Sequence, residues 1–348
     1  MAEMLQVFPQ ADLVVGTMAE TVRDLNSVTR KARETWLARL PGARTHHRWF
    51  LPLEGIAFRT LDTRGYDVVI SSSHAFAKMV RRPADGVHIC YCYSPPRYLW
   101  DLAETYRRGA SSAQRVVLRL GGGALRQWDR RSALPIDAFI AISSYIARRI
   151  ERCYGRTASV VYPPVASKPL ARLNPGRGGF LLHLGRLVPY KRVDLAIAAA
   201  ERLGIRLVVA GDGPDRGRLQ RLAGRRTEFL GDVSEAAAGE LLSTCAAFVF
   251  CAEEDFGIAP VEANAHGAPV VGYGRGGLLE TMIPGQTAEL FEEPEVDHVV
   301  AAIERALARP WREVDLRANA ARFAPDRFRA GFLREVVAAL PAALLEDR

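Results

Sequence analysis

Cysteine is scarce: five residues in 348, at Cys90, Cys92, Cys153, Cys245 and Cys251. The number is odd and most of them sit in apolar, strand-like runs, which argues against a disulfide framework and for reduced, buried thiols. Cys90 and Cys92 have no partners at zinc-like spacing, so a structural zinc site is excluded too. No apolar run reaches the roughly 18 residues that a membrane-crossing helix needs. The first residues, M-A-E-M-L-Q-V-F-P-Q, carry no basic segment, apolar core or cleavage site. The expectation is a soluble chain that stays in the cytoplasm. Also missing are a Walker-type lysine motif and a G-x-G-x-x-G after the first strand of the second half, which argues against a P-loop NTPase and a dehydrogenase.

What the chain does have is enough apolar content, 49%, to bury sizeable cores, and at this length two domains are expected. Its net charge is +8, carried mostly by arginines that often come in pairs, such as Arg81–Arg82, Arg130–Arg131 and Arg148–Arg149. Such a balance attracts nucleic acid, anionic headgroups or phosphorylated substrates, or else simply solvates helix faces; composition leaves these open.

Hydrophobic periodicity alternates strand and helix along almost the whole chain. Residues 1–8 read as the tail of a helix and Asp12–Thr17 as a strand. Tyr66–Ser73 is a buried strand that delivers His74 to its carboxyl end, where catalytic side chains gather in parallel sheets, although a lone histidine is as readily structural. Val87–Asp101 is a strand running into a double-proline turn. Its Tyr93, Arg97, Tyr98 and Trp100 suit either a sugar-stacking wall or a packed cluster under a loop. Helices over Ser111–Ser132 and Ser143–Tyr154 and strands over Ala138–Ile142 and Ser159–Tyr162 complete this α/β unit. A Pro-, Gly- and base-rich stretch, 165–179, reads as a linker between domains spanning 1–164 and 180–325, with a terminal helix over 326–348 crossing back to the first domain. From Phe180 to Ala308 six strands alternate with six helices, the pattern of a parallel sheet covered on both faces.

The chemistry concentrates at strand ends of this second half. H-L-G-R-L-V-P-Y-K-R places Arg186 and Lys191 beyond Gly185, two cations suited to a diphosphate. A-G-D-G-P, with Gly211 and Gly213, lets backbone approach a ligand. G-Y-G-R-G-G-L-L-E puts Gly276 and Gly277 at a helix start, a cradle for phosphate. C-A-E-E-D-F-G-I-A-P-V-E is a strand-to-helix turn bracketed by Glu254 and Glu262. That spacing puts Glu254 at the mouth and Glu262 about one turn down, each able to accept hydrogen bonds from different hydroxyls of one extended ligand. Alternatively, Glu254 and Asp255 complement a helix dipole and Glu262 is a solvated helix residue.

Taken together, G-R-L-V-P-Y-K-R, V-V-A-G-D-G-P, E-F-L-G, E-E-D-F-G-I-A-P-V-E-A and G-A-P-V-V-G-Y-G-R-G-G-L-L-E resemble the retaining nucleotide-sugar glycosyltransferases of family 4. In the first half, Y-D-V-V-I-S-S-S-H-A-F-A-K and C-Y-C-Y-S-P-P-R-Y-L-W-D resemble the branch that builds bacterial O-antigen and exopolysaccharide from GDP-mannose. The resemblance implies a GT-B fold, two Rossmann-like domains with parallel sheets facing across a cleft. It implies that Arg186 and Lys191 bind the donor diphosphate, Glu254 the sugar hydroxyls and Glu262 the ribose. Phe256, Gly257 and Ile258 would contact sugar and phosphate, Phe229 and Leu230 would line the base, and His74 would approach the donor sugar. No metal or other cofactor is expected, and no D-x-D stands in a plausible site. The expected partners are a nucleotide-diphosphate sugar and a glycan or lipid-linked acceptor, with peripheral contact at the inner membrane face and no nucleic acid.

Two departures accompany the resemblance. Tyr93 and Pro96 stand where that branch carries His and Met. The chain also starts inside what is a helix of the family, so the first domain is expected to lack its first strand and a glycine loop, roughly 25–30 residues of one βα unit. A catalytically impaired donor-binding protein, or an epimerase or phosphorylase on the same fold, are therefore the rival expectations.

Overall fold

Strands alternate with helices to give one main parallel sheet in each of two units. In this computed structural model residues 1–18, 32–45, 50–101, 112–166, 178–342 and 344 are described. One unit comprises Met1–Tyr162 with Phe328–Arg348, the other Pro163–Arg327. Most of the stretch expected to be a linker, 167–177, lies outside the described residues.

The first unit carries a four-stranded parallel sheet in the order β3 (Val68–Ser73), β4 (Val87–Cys92), β5 (Ala138–Ala141), β6 (Ser159–Val160). All six residues of β4 are buried, as a central strand demands. The strand expected over Asp12–Thr17 is only two residues long, β1 (Val14–Val15), and pairs with β2 (Arg33–Glu34) apart from the main sheet. Among the described residues β3 is therefore an edge strand. The helix Ser144–Tyr154 starts where the Ser143 hydroxyl accepts from the Ile146 amide and ends at Gly155, whose φ of 68° only glycine adopts without strain. The helix Pro325–Ala338 brings Phe328 and Phe332 edge-on to Tyr91 of β4, at centroid distances of 5.7 and 5.8 Å. Phe8 packs against Phe332, and Arg329 pairs with Glu3, so this helix also fastens the amino-terminal helix Ala2–Val7.

The second unit carries six parallel strands, β7 (Phe180–Leu184), β8 (Arg206–Ala210), β9 (Thr227–Gly231), β10 (Ala247–Phe250), β11 (Val270–Tyr273) and β12 (Ala288–Phe291). Their spatial order is β12-β11-β10-β7-β8-β9. The first strand of the unit thus lies beside the fourth. Connections from β7 run one way and those from β10 the other, so the crevice between these two strands is the topological switch point, where open α/β sheets bind ligands. Leu181, Leu207, Ala247, Val249 and Val271, none of them exposed, fill the core beneath the helices Val193–Leu203 and Val296–Ala308. All five cysteines are buried, and none forms a disulfide.

Candidate functional site

The loops leaving β7 and β8 are laced together by backbone. Gly185 donates to the Ala210 carbonyl at 3.0 Å, and Leu187 to that of Asp212 at 2.8 Å. Gly211 has φ 123°, and a Cβ there would stand 2.1 Å from the Gly185 oxygen; one on Gly213 would stand 2.2 Å from the Leu187 oxygen. Only glycine lets the two loops approach so closely. The result is an open hollow of about 430 Å³ lined by Gly185, Arg186, Gly211, Asp212, Asp232 and Val233. The Arg186 side chain is exposed there, while Asp212 is tied to Arg216 at 2.9 Å. On β9 Leu230 faces outward and Phe229 packs into the core. The two residues expected together at a base therefore point to opposite sides, as strand alternation requires.

At the switch point Lys191 and Glu254 meet: Nζ lies 2.5 Å from Oε1, with both side chains 18% exposed. The ammonium also lies 5.3 Å from the centre of the Phe250 ring. Beneath it His183 is 2% exposed, its Nδ1 is 3.2 Å from the Val249 carbonyl, and burial pulls its pKa down to about 4. A neutral imidazole adds no repulsion under a site built around cations. Arg192 follows Lys191 with φ 50°, and among the described residues no other non-glycine has positive φ. Its guanidinium pairs with Asp194 at 3.3 Å.

Gly257, at φ 89°, turns the chain from β10 into the helix Ile258–Ala265. Phe256 is buried and Ile258 exposed. Glu262 sits half-buried on that helix. Burial, and secondarily the charge of Glu235, raise its carboxyl above the usual carboxylate range. A raised native pKa means that the ionised form opposes folding above that pKa, and that the penalty fades as pH falls through it. Glu262→Gln is therefore expected to raise the thermal midpoint near pH 7, with the gain disappearing on acidification toward pH 4; parallel melts of both proteins across pH check this.

Of the two glycines expected to cradle phosphate, Gly277 has its amide engaged elsewhere. Gly276 bridges to Glu254 as in a parallel ladder, and the Gly277 amide donates to the Glu254 carbonyl at 2.8 Å. The helix that follows is a single turn, Leu278–Thr281. With its amide already engaged, Gly277 places Glu254 and offers no amide to a phosphate. A Cβ at Gly277 would stand 2.4 Å from the Phe256 Cα, which is why glycine is needed.

In the first unit His74 is exposed at the exit of β3. Tyr93 accepts from the Ser72 hydroxyl at 3.1 Å. Tyr98 packs against the buried cluster of Ala75, Phe76 and Met79, and Arg97 is half-buried. Trp100 is anchored from below: its indole N–H donates to Asp129 Oδ2 at 2.9 Å. The sequence reading passed over the groups that hold this loop. Lys78, 1% exposed, lies 2.5 Å from Asp129, and Arg149, also 1% exposed, pairs with Asp101 and donates to Ser94 at 2.9 Å. Arg149, in one of the arginine pairs whose role composition leaves open, is thus a structural cation.

Residues 171–325 match the family described as glycosyl transferases group 1. A glycogen synthase of Mycobacterium tuberculosis is 36% identical over 167 residues, 44% of this chain and 40% of that protein. A GDP-mannose-dependent alpha-(1-6)-phosphatidylinositol dimannoside mannosyltransferase of the same species is 36% identical over 140 residues, 38% of this chain and 36% of that protein. The alignments span only about two fifths of these relatives' own length. Among solved structures, a sucrose-phosphate synthase of Thermosynechococcus elongatus superposes with a TM-score of 0.73 at 18% identity, covering 96% of this chain and 91% of that one. The HepE protein of Anabaena, solved with UDP and glucose, does so with a TM-score of 0.67 at 16% identity, covering 97% and 95%. At such identities these neighbours speak for the fold. Among the described residues no helix is long and apolar enough to cross a membrane.

Proposed function

Starting from a chain of GT-B fold whose residues 171–325 match the group 1 glycosyl transferases, we propose that it is a retaining hexosyltransferase using a nucleotide-diphosphate sugar. The observation that carries this reading is the meeting of Lys191 and Glu254 at the switch point, 2.5 Å apart, with Arg186 exposed on the neighbouring loop. A cation and a carboxylate in one crevice suit the two ends of such a donor, the diphosphate and the sugar hydroxyls. When the bond from sugar to phosphate breaks, negative charge grows on the leaving diphosphate, and preoriented cations stabilise it most. Arg186 can hold it bidentately and Lys191 as a point charge. The acceptor hydroxyl adds from the same face and passes its proton to the departing phosphate oxygen, so each bond broken is matched by one formed. This arrangement asks for no metal. Glu262 accepts from the ribose, and its raised pKa makes that contact weaken in acid.

The donor we propose is GDP-mannose, supported by the mannosyltransferase relatives and by the first-half motifs. The acceptor is a lipid-linked or polysaccharide glycan, reached at a membrane surface with the help of the chain's net charge of +8. Calorimetry and thermal shift with GDP, UDP, GDP-mannose and UDP-glucose, on this chain and on Glu262→Ala, test the reading. Saturable binding of GDP and GDP-mannose, lost in the variant, is expected. Binding of UDP compounds alone would move the donor to the glucosyl class of the glycogen synthase relatives, and binding of none by a folded sample would remove the transferase reading.

A further inference from the structure

Behind the two turns that carry Glu254 and Gly277 lies a buried polar cluster that the proposed chemistry does not use. Asn319, on the helix Glu313–Ala321, is 2% exposed, and Asn264, on the helix of Glu262, is not exposed at all. Asn319 Nδ2 donates to Asn264 Oδ1 and to the Thr281 carbonyl, each at 2.8 Å, and its Oδ1 accepts from Arg322 at 2.8 Å. Asn264 Nδ2 donates to the carbonyls of Ala268 and Thr287 at 3.0 and 3.3 Å. Every polar atom of both amides is therefore engaged. A fully satisfied buried network fixes one arrangement of the backbone, where an apolar pair would tolerate several.

From this cluster three arms reach the turns. The Thr281 hydroxyl is shared between the carbonyls of Phe256 and Gly277, at 3.4 and 3.3 Å. Arg322 Nη2 donates to the Glu280 carbonyl at 3.2 Å. The Phe323 ring stands edge-on to Phe256, 5.3 Å between centroids. All these contacts fall within the turn that follows Glu254 or in the turn that holds its carbonyl.

We propose that Asn319 and Thr281 are positioning residues: they set the spacing of the Glu254–Ile258 and Gly276–Glu280 turns, and through Asn264 the seat of the helix carrying Glu262. The consequence for donor affinity rests on the transferase reading above; the local consequence does not. The test uses the full chain with Asn319→Ala, Thr281→Val, Thr281→Ser and, as a control on the same helix, Leu316→Ala, a buried apolar residue 1% exposed. Calorimetry with GDP and with UDP, thermal unfolding, and hydrogen exchange of the backbone amides are measured on each.

Asn319→Ala and Thr281→Val are expected to raise the Kd of the bound nucleotide about tenfold, the scale of one buried hydrogen bond. Exchange should speed up in the two turns ahead of the rest of the unit. Thr281→Ser keeps the hydroxyl and should restore wild-type affinity, while Leu316→Ala should lower the melting temperature with affinity unchanged. Wild-type Kd and wild-type exchange in the turns of Asn319→Ala and Thr281→Val would overturn the proposal. If the wild-type chain binds neither nucleotide, the donor reading falls, and exchange alone decides: acceleration confined to the two turns upholds the positioning role, and uniform acceleration overturns it.

Discussion

Lys78→Met is expected to destabilise the first unit by about 3–5 kcal/mol, the cost of leaving a buried charge without its partner. Lys78 and Asp129 are 1% and 0% exposed and 2.5 Å apart. The ammonium also donates to the Ala75 carbonyl at 2.7 Å. Asp129 Oδ2 is held separately, by the indole of Trp100 at 2.9 Å and the hydroxyl of Tyr154 at 3.0 Å. Methionine fills the space of the lysine stem, so what is lost is charge and two hydrogen bonds, with little volume. Oδ1 is then left bare, and the carboxylate must take up a proton or draw in water. Urea unfolding of the full chain, followed by tryptophan fluorescence, checks the figure because Trp100 reports on the pair directly. A loss below about 1 kcal/mol, the level of an exposed ion pair, would mean that the pair does not hold these loops. Pairing Lys78→Met with Asp129→Asn should recover part of the loss, because the amide carries no uncompensated charge and its oxygen still accepts from Trp100 and Tyr154.

Lys191→Met is expected to reduce turnover about 10²–10³-fold, as removal of one preorganised group facing developing charge does elsewhere. The same change frees Glu254, whose Oε1 is 2.5 Å from the ammonium. With Glu254 in its proposed role at the sugar hydroxyls, donor KM should rise alongside the fall in kcat. Lys191→Arg should recover only part of the loss, because the guanidinium is a planar fork in a space built around a point charge. The measurement is release of nucleoside diphosphate from saturating donor in the presence of acceptor. Full turnover in Lys191→Met would remove Lys191 from the chemistry and leave Arg186 as the principal cation.

The βα alternation was legible because burial on both faces gives parallel strands continuous apolar runs, and A-F-V-F at Ala247–Phe250 is one of them. The strand ends were legible as well, since Gly211, Gly213 and Gly277 stand where a side chain would collide with a neighbouring loop. Their density beside Arg186, Lys191 and Glu254 marked one face of one sheet before any partner was known. That the Gly277 amide is engaged was not legible, because a glycine at a helix start looks the same whether its amide faces a ligand or the Glu254 carbonyl. Trp100 was ambiguous for the same reason: an aromatic after a double proline does not reveal that a buried Asp129 waits 29 residues on.

The sequence by itself determined the class of the fold, the order of its elements and the turns at which backbone can crowd a ligand, all of which depend on residues within a few positions of one another. Only the tertiary structure decided that β7 lies beside β10, which brings Lys191 to Glu254, 63 positions further along the chain. It likewise decided that Asn319 meets Asn264 and that Lys78 meets Asp129. A buried charge or amide takes whichever complementary group the packed core places within about 3 Å, and that choice is made by the three-dimensional neighbourhood, not by spacing along the chain.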